Sequence, residues 1–144
     1  GTLLLENCEI HRERMINLRR DYGSTWEGDV IIRNCTLRPC SPKNDISILY
    51  GSNDGSHDFG YPCQLPSSIT IEGLLIDDNE AAEVEGYAGP SVFNSFGRTA
   101  GHAEPFPFGT KCKITLKGIS VVSGKPLVLA PNPDAFPGIV VVRE

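Results

Sequence analysis

The chain has 144 residues, of which 40% are hydrophobic, and this is enough for one domain with a single core. Its formal net charge of −5 argues against a nucleic-acid partner, and no apolar run reaches the roughly 18–20 residues of a membrane-spanning helix. Fifteen Gly and eleven Pro, together with the lack of a helical hydrophobic period, predict an all-β chain with many turns.

One short phrase is repeated along the chain. It occurs four times, as LLLENCEI (3–10), VIIRNCTL (30–37), ITIEGLLI (69–76) and ITLKGISV (114–121). Each half of the phrase alternates between apolar and polar residues with a period of two, as a half-buried strand does, and the alternation slips by one residue at the centre. The central residues are Asn7, Asn34, Gly73 and Gly118. Asn and Gly are the residue types that adopt a positive φ at least cost, so the pattern predicts strand, one-residue corner, strand.

Other short apolar stretches lie between the copies of this phrase. They are MINLRR (15–20), ISILY (46–50), SVFNSF (91–96) and PLVLA (126–130), and GIVVV (138–142) opens a fifth repeat. Three short strands per repeat, with no helix between them, predict a coil that winds round and stacks on itself about 4.8 Å per turn. Equivalent positions should then lie above one another: Asn7 over Asn34, with side-chain amides hydrogen-bonded along the stack, and Cys8 over Cys35.

The repeated Asn-centred phrase resembles the right-handed parallel β-helix of the pectate-lyase-like superfamily. The resemblance implies one solenoid domain over residues 1–144, of about four to five coils, with little or no helix. It further implies that long loops at 51–67 and 78–113 wall a substrate groove. An antiparallel sandwich is the alternative, although it would need hairpin turns between successive strands. The chain opens directly on a strand pattern, so we expect an internal or C-terminal part of a longer protein, with either further coils or an oligomer at its open ends.

Two polar segments on neighbouring repeats, INLRRDYGSTWEGD (16–29) and YGSNDGSHDFGYPC (50–63), hold the candidate functional residues. A polysaccharide lyase needs a base and a positive charge beside the uronate; Arg19, Arg20 and His57 are the candidates for these roles, and Tyr22 could serve as an acid. A glycoside hydrolase needs two carboxylates, which Asp21 with Asp54 or Asp58 would supply. The predicted catalytic residues are Arg20, Asp21, His57 and Asp58, and the predicted substrate-binding residues are Arg19, Tyr22, Trp26, Asp54 and Tyr61. No metal site is predicted, although calcium on Asp21, Asp54 and Asp58 stays open.

Each of these residues also has a structural interpretation. The arginines can pair with Asp21 or Glu27 across a turn, His57 can be a hydrogen-bonded turn residue, and the aromatic side chains can pack loops onto the coil. The acidic segment 76–86 is expected to be a solvated loop, with a weak calcium site or a patch that repels anionic polymer as the alternatives. One disulfide among Cys40, Cys63 and Cys112 and free thiols are both open.

The predicted function is that of a carbohydrate-active enzyme, a lyase or a hydrolase, that acts on an extracellular polysaccharide. The parent is expected to be a secreted or cell-surface bacterial protein, with polysaccharide as its partner. The alternative is a non-catalytic β-helix, such as a stalk, an adhesin or a tailspike-like module, which binds glycans or holds shape.

Overall fold

The computed structural model describes residues 1–19, 24–40, 45–52, 63–94, 108–109, 111–130 and 138–144. The strands found there are β1 (Thr2–Glu6), β2 (Glu9–Ile10), β3 (Arg14–Arg19), β4 (Asp29–Arg33), β5 (Thr36–Leu37), β6 (Ser47–Ser52), β7 (Cys63–Gln64), β8 (Ser68–Glu72), β9 (Leu75–Ile76), β10 (Ser91–Asn94), β11 (Phe108–Gly109), β12 (Cys112–Lys117), β13 (Ser120–Val121) and β14 (Ile139–Arg143). One 3-10 turn, Ala81–Glu83, is the helical element of this part of the chain. The prediction of an all-β chain is confirmed.

The strands form separate parallel sheets in which each repeat pairs with the next. The strand orders are β1-β4-β8-β12-β14, β2-β5-β9-β13, β3-β6-β10 and β7-β11. All pairings between these strands are parallel. Because no pairing between described strands is antiparallel, the sandwich alternative is wrong for this part of the chain.

The repeated phrase stacks in the predicted register. Leu3 pairs with Val30, Val30 with Ile69, and Ile69 with Ile114. In the second, third and fourth repeats these residues are buried, and Ile32, Ile69, Ile71 and Ile114 have no exposed surface. The repeated apolar positions therefore form one continuous core, because each repeat covers the apolar side chains of the next.

The predicted corners are present. The φ angles are 56° at Asn7, 53° at Asn34, and 63° at both Gly73 and Gly118. Backbone hydrogen bonds connect each corner to the next repeat. The amide N–H of Asn7 donates to the carbonyl of Arg33 at 3.1 Å, that of Asn34 to Glu72 at 3.0 Å, and that of Gly73 to Lys117 at 2.9 Å. No side-chain hydrogen bond joins Asn7 to Asn34, so the expected ladder of side-chain amides is absent between these two residues, and backbone bonds connect the corners instead.

The two predicted loops are not continuous loops. Strands β6 and β7 occupy the two ends of 51–67, and β10, β11 and the 3-10 turn lie within 78–113. Residues 63–64 and 108–109 pair with each other, and Thr25 joins their row through a parallel bridge to Gln64. Three repeats thus contribute to a short fourth row, formed by Thr25, β7 and β11, which the sequence pattern did not predict because its members are only one or two residues long.

Candidate functional site

Most of the predicted site residues lie outside the described residues. These are Arg20, Asp21, Tyr22, Asp54, His57, Asp58 and Tyr61. Arg19 is described as the last residue of β3, and Trp26 is described with its side chain. The catalytic and substrate-binding assignments of the seven residues therefore remain predictions.

The strands that lead into these two segments are neighbours. β3 and β6 pair in register, with Asn17 opposite Tyr50 and the final residues Arg19 and Ser52 opposite each other. Segment 20–23 leaves directly from the end of β3, and segment 53–62 leaves directly from the end of β6. The two segments that hold the predicted catalytic residues therefore start side by side.

A cleft of about 210 Å³ lies close to this edge of the molecule. The described residues that line it are Asn17, Leu18, Ser24, Thr25, Trp26 and Gln64. Asn17 and Leu18 come from β3, Gln64 comes from β7, and the other three form the short row beside β7. The cleft thus combines an apolar wall with amide and hydroxyl groups, all of them uncharged.

The backbone fixes the position of Trp26. Its N–H donates to the carbonyl of Gln64 at 3.3 Å, and the N–H of Gln64 donates to the carbonyl of Ser24 at 3.1 Å. The segment then enters β4 through Gly28, where a Cβ atom would lie 1.6 Å from the carbonyl oxygen of Gly1, so only glycine fits. The indole of Trp26 is 37% exposed. Of the two roles predicted for Trp26, a contact with ligand needs this exposure, whereas pure loop packing does not.

A buried carboxylate lies elsewhere in the molecule, at Asp78. Its side chain has no exposed surface, and it accepts bonds from the hydroxyl of Tyr87 at 2.5 Å, the N–H of Ser123 at 2.9 Å and the hydroxyl of Ser123 at 2.6 Å. Burial, together with the hydrogen bond to Asp78, raises the pKa of Tyr87. These contacts join the segment after β9 to the turn after β13. The expectation of a solvated loop is therefore wrong at Asp78, because the tertiary fold supplies partners that a local sequence pattern cannot indicate.

A charged row follows the outer surface of the sheet that contains β2, β5 and β9. Glu9 accepts bonds from His11 and from Arg38 at 2.5 Å each, and Arg38 also donates to Asp77 at 3.0 Å. The hydrogen bond to Asp77, followed by the charge of Glu9, raises the pKa of Arg38. These charged side chains are paired with one another. Because Arg38, Glu9 and Asp77 belong to successive repeats, the pairs link adjacent repeats.

All five cysteines are free. Cys35, Cys63 and Cys112 are buried, whereas Cys40 is exposed. Burial raises the pKa of the Cys112 thiol from 9.0 to about 11, which makes it a poor nucleophile near neutral pH. Of the two cysteine predictions, free thiols are confirmed and the disulfide among Cys40, Cys63 and Cys112 is wrong.

Within the described ranges, no group of three or more His, Cys, Asp or Glu side chains could hold a metal ion. The described part of the chain also contains no helix that is long and apolar enough to cross a membrane. Comparison with known proteins finds no matching family model, no matching curated protein and no matching solved structure.

Proposed function

We propose that this chain is a right-handed parallel β-helix that acts on an extracellular polysaccharide. Support for the β-helix comes from the parallel register of successive repeats and from the positive φ at four equivalent corners. In such a solenoid, equivalent surface positions of neighbouring coils form a continuous strip, which suits a ligand that is itself a linear polymer.

One observation carries the functional part of the proposal: the ends of β3 and β6 lie opposite each other. Segments 20–23 and 53–62 leave from these two ends, and they contain Arg20, Asp21, His57 and Asp58. Side chains that start from adjacent coils can surround one glycosidic bond. A base on one segment and an acid on the other could then act on opposite sides of that bond.

The chemistry depends on which residues act. β-Elimination requires a base that removes the proton α to a uronate carboxylate, and a cation that stabilises the resulting anion. His57 and Arg20 would take these roles, with calcium on nearby carboxylates as an additional cation. Hydrolysis instead requires an acid and a second carboxylate, which Asp21 and Asp58 would provide.

A second candidate function is glycan binding without catalysis. It is favoured by the cleft beside Trp26, because an exposed indole next to amide groups is suited to holding a sugar ring whether or not the bond is cleaved. A stalk, an adhesin or a tailspike-like module would use the cleft in this way.

The test incubates the chain with polyuronides and neutral polysaccharides, with calcium and with a chelator. Ultraviolet absorbance reports unsaturated ends, and a reducing-sugar assay reports every cleavage. Absorbance that rises with reducing ends indicates elimination, and Arg20→Ala and His57→Ala should then each lower turnover by roughly 100-fold or more. Reducing ends without a rise in absorbance indicate hydrolysis. In that case Asp21→Asn and Asp58→Asn should each lower turnover by roughly 100-fold or more.

The matched controls are Arg33→Ala and His11→Ala, which remove an arginine and a histidine from the described outer surface. They should retain turnover. The enzyme proposal is contradicted if the chain cleaves nothing, and binding without cleavage supports the second candidate. Neither binding nor cleavage across the whole panel would contradict both.

A further inference from the structure

We infer that Cys8 and Cys35 form a redox-sensitive pair, and that oxidation joins them in a disulfide between the first repeat and the second. The inference concerns a modification site of the fold and does not depend on the proposed function. Both thiols are free in the structure, and neither belongs to the predicted catalytic or substrate-binding residues. The oxidant is a small disulfide, such as oxidised glutathione, which reacts by thiol–disulfide exchange.

The register of the strands places the two cysteines directly above each other. β1 pairs with β4 in register before the corner, and β2 pairs with β5 in register after it. The N–H of Thr36 also donates to the carbonyl of Cys8 at 2.9 Å. Neighbouring parallel strands lie about 4.8 Å apart, and the Cα atoms of a disulfide are usually roughly 4.4–6.8 Å apart. The backbone therefore holds the two Cα atoms at a distance that a disulfide can bridge.

Both side chains lie on the inner side of the corner. Cys35 is buried, and Cys8 is half-buried and packs against the same core cluster. The thiol of Cys8 donates to the carbonyl of Glu6 at 3.2 Å, and the thiol of Cys35 lies 3.4 Å from the equivalent oxygen of Arg33. The Cys35 sulfur also lies 3.5 Å from the carbonyl oxygen of Leu5, which belongs to the first repeat. Forming the bond requires side-chain rotation and a small approach of the Cβ atoms, with no change of register.

The corner itself does not require a cysteine at this position. The equivalent residues of the third and fourth repeats are Leu74 and Ile119, which also contact the core. Aliphatic side chains therefore fill this column as well. The stacking of two thiols is thus a particular feature of the first two repeats.

The difference in exposure sets the order of the two exchange steps. Oxidised glutathione reaches the half-buried Cys8 first. The Cys8 thiolate attacks one of its sulfurs, a mixed disulfide forms, and one glutathione leaves as a thiol. The Cys35 thiolate then attacks the Cys8 sulfur, and the second glutathione leaves. The two cysteines lose two protons and two electrons, which convert one glutathione disulfide into two glutathione thiols.

The bond would clamp the less buried first repeat onto the second. Leu3 and Leu5 are half-buried, whereas Val30 and Ile32, which lie opposite them, are buried. A repeat with less apolar burial opens locally more easily. A covalent link across the corner opposes this opening, because it restricts the unfolded chain between the two cysteines. Since β3 belongs to the first repeat, the clamp also supports the strand from which segment 20–23 leaves.

The test oxidises the folded chain and locates the bond. The full chain with Cys40→Ser, which lacks the exposed thiol, is equilibrated at a series of ratios of oxidised to reduced glutathione. It is then acid-quenched, alkylated and digested without reduction by a protease that cuts after Lys and Arg. We expect peptides 1–12 and 34–43 to be linked, because each then holds one cysteine, Cys8 or Cys35. The equilibrium constant for oxidation should be larger in the folded chain than in denaturant by roughly tenfold or more.

Two variants in this background separate the pair from general oxidation. Cys8→Ser should give no linked peptides. Cys112→Ala removes another buried thiol, which lies opposite Ile139, and should leave the link unchanged. In thermal unfolding, the oxidised parent should have a higher midpoint than the reduced parent, whereas Cys8→Ser should have one midpoint in both buffers.

Three results would overturn the inference. Both thiols could remain open to alkylation, or the reaction could stop at the mixed disulfide of Cys8. The third is an oxidation constant no larger in the folded chain than in denaturant, because the native geometry would then oppose the bond. Each of these results leaves the proposed function as it stands, since polysaccharide binding and cleavage are measured separately on the reduced chain.

Discussion

Each repeat has two kinds of corner, and they differ in how much they vary. The corner between β1 and β2 is a single residue at positive φ, and it recurs between β4 and β5, β8 and β9, and β12 and β13. On the other side, the chain runs from β3 to Thr25, from β6 to β7 and from β10 to β11 through five, ten and thirteen residues. Constant corners hold the register of the core, whereas variable connections can differ without disturbing it.

The difference has a physical cause. Parallel strands in register require every repeat to enter and leave the shared sheets at the same point, since a slip of one residue moves inward side chains to the surface. A connection that leaves from the end of a sheet has no such constraint, because lengthening a loop costs little. Polar segments with candidate chemistry are found at the variable connections for this reason.

The largest effect is expected from inserting one glycine after Asn34. The insertion would move Cys35 and Leu37 away from their buried positions and turn Thr36 inward. Losing the burial of these two side chains should lower the free energy of unfolding by at least about 3 kcal/mol. Chemical denaturation measures it. The same insertion between Ser56 and His57 should cost less than about 1 kcal/mol, and equal costs at the two sites would remove the distinction between the corners.

The next effect concerns Asp78, which stabilises a part of the chain outside the repeated phrase. Asp78→Ala removes the acceptor used by Tyr87 and Ser123, and it leaves the buried hydroxyl of Tyr87 and the part-buried donors of Ser123 without this partner. We expect a loss of about 3 kcal/mol in the free energy of unfolding, measured in the same way. The exposed Glu80, two residues along, is the control, and Glu80→Ala should change stability by less than about 0.5 kcal/mol. Similar small effects for both would show that the buried network contributes nothing.

A smaller effect is expected at the constant corner itself. Gly118 has a φ of 63°, and an added Cβ would meet its nearest atom, the Gly73 nitrogen, at an ordinary 3.7 Å. Gly118→Ala should therefore cost about 1–2 kcal/mol through backbone strain alone. Asn34→Gly keeps the positive φ without strain and should be close to neutral. If the alanine variant unfolds at the wild-type midpoint, the corners do not depend on residue type.

The smallest effect concerns the charges outside the corners. Arg33 donates to Glu6 at 2.5 Å, and Lys117 lies 3.8 Å from Glu72, in a column that alternates in charge. Both pairs are largely exposed, so a double-mutant cycle on Glu6 and Arg33 should give a coupling of about 0.5 kcal/mol, reduced further at 1 M salt. A coupling of several kcal/mol would mean that charge, and not the apolar core, sets the register.

The sequence was informative where it repeats. The corners, the in-register apolar columns and the all-β character of the described residues followed from a period-two pattern centred on Asn or Gly. The two-residue strand β7 and the buried Asp78 could not be predicted, because both depend on partners distant in the sequence: Gln64 pairs with Thr25, and Asp78 bonds Ser123. Among the residues that line the cleft, Trp26 was predicted from its residue type. Its uncharged neighbours in the cleft were not predicted, because a single Asn or Gln forms no recognisable sequence pattern.

The most direct test of the account compares polysaccharide binding by two triple variants, matched in chemistry but located at the two kinds of corner. One is Arg20→Ala with Trp26→Ala and His57→Ala, at the variable connections. The other is Arg33→Ala with Leu4→Ala and His11→Ala, near the constant corners. Affinity electrophoresis in gels containing the best-bound polysaccharide should show lost retardation for the first and wild-type retardation for the second. Lost retardation for the second with wild-type retardation for the first would contradict the account.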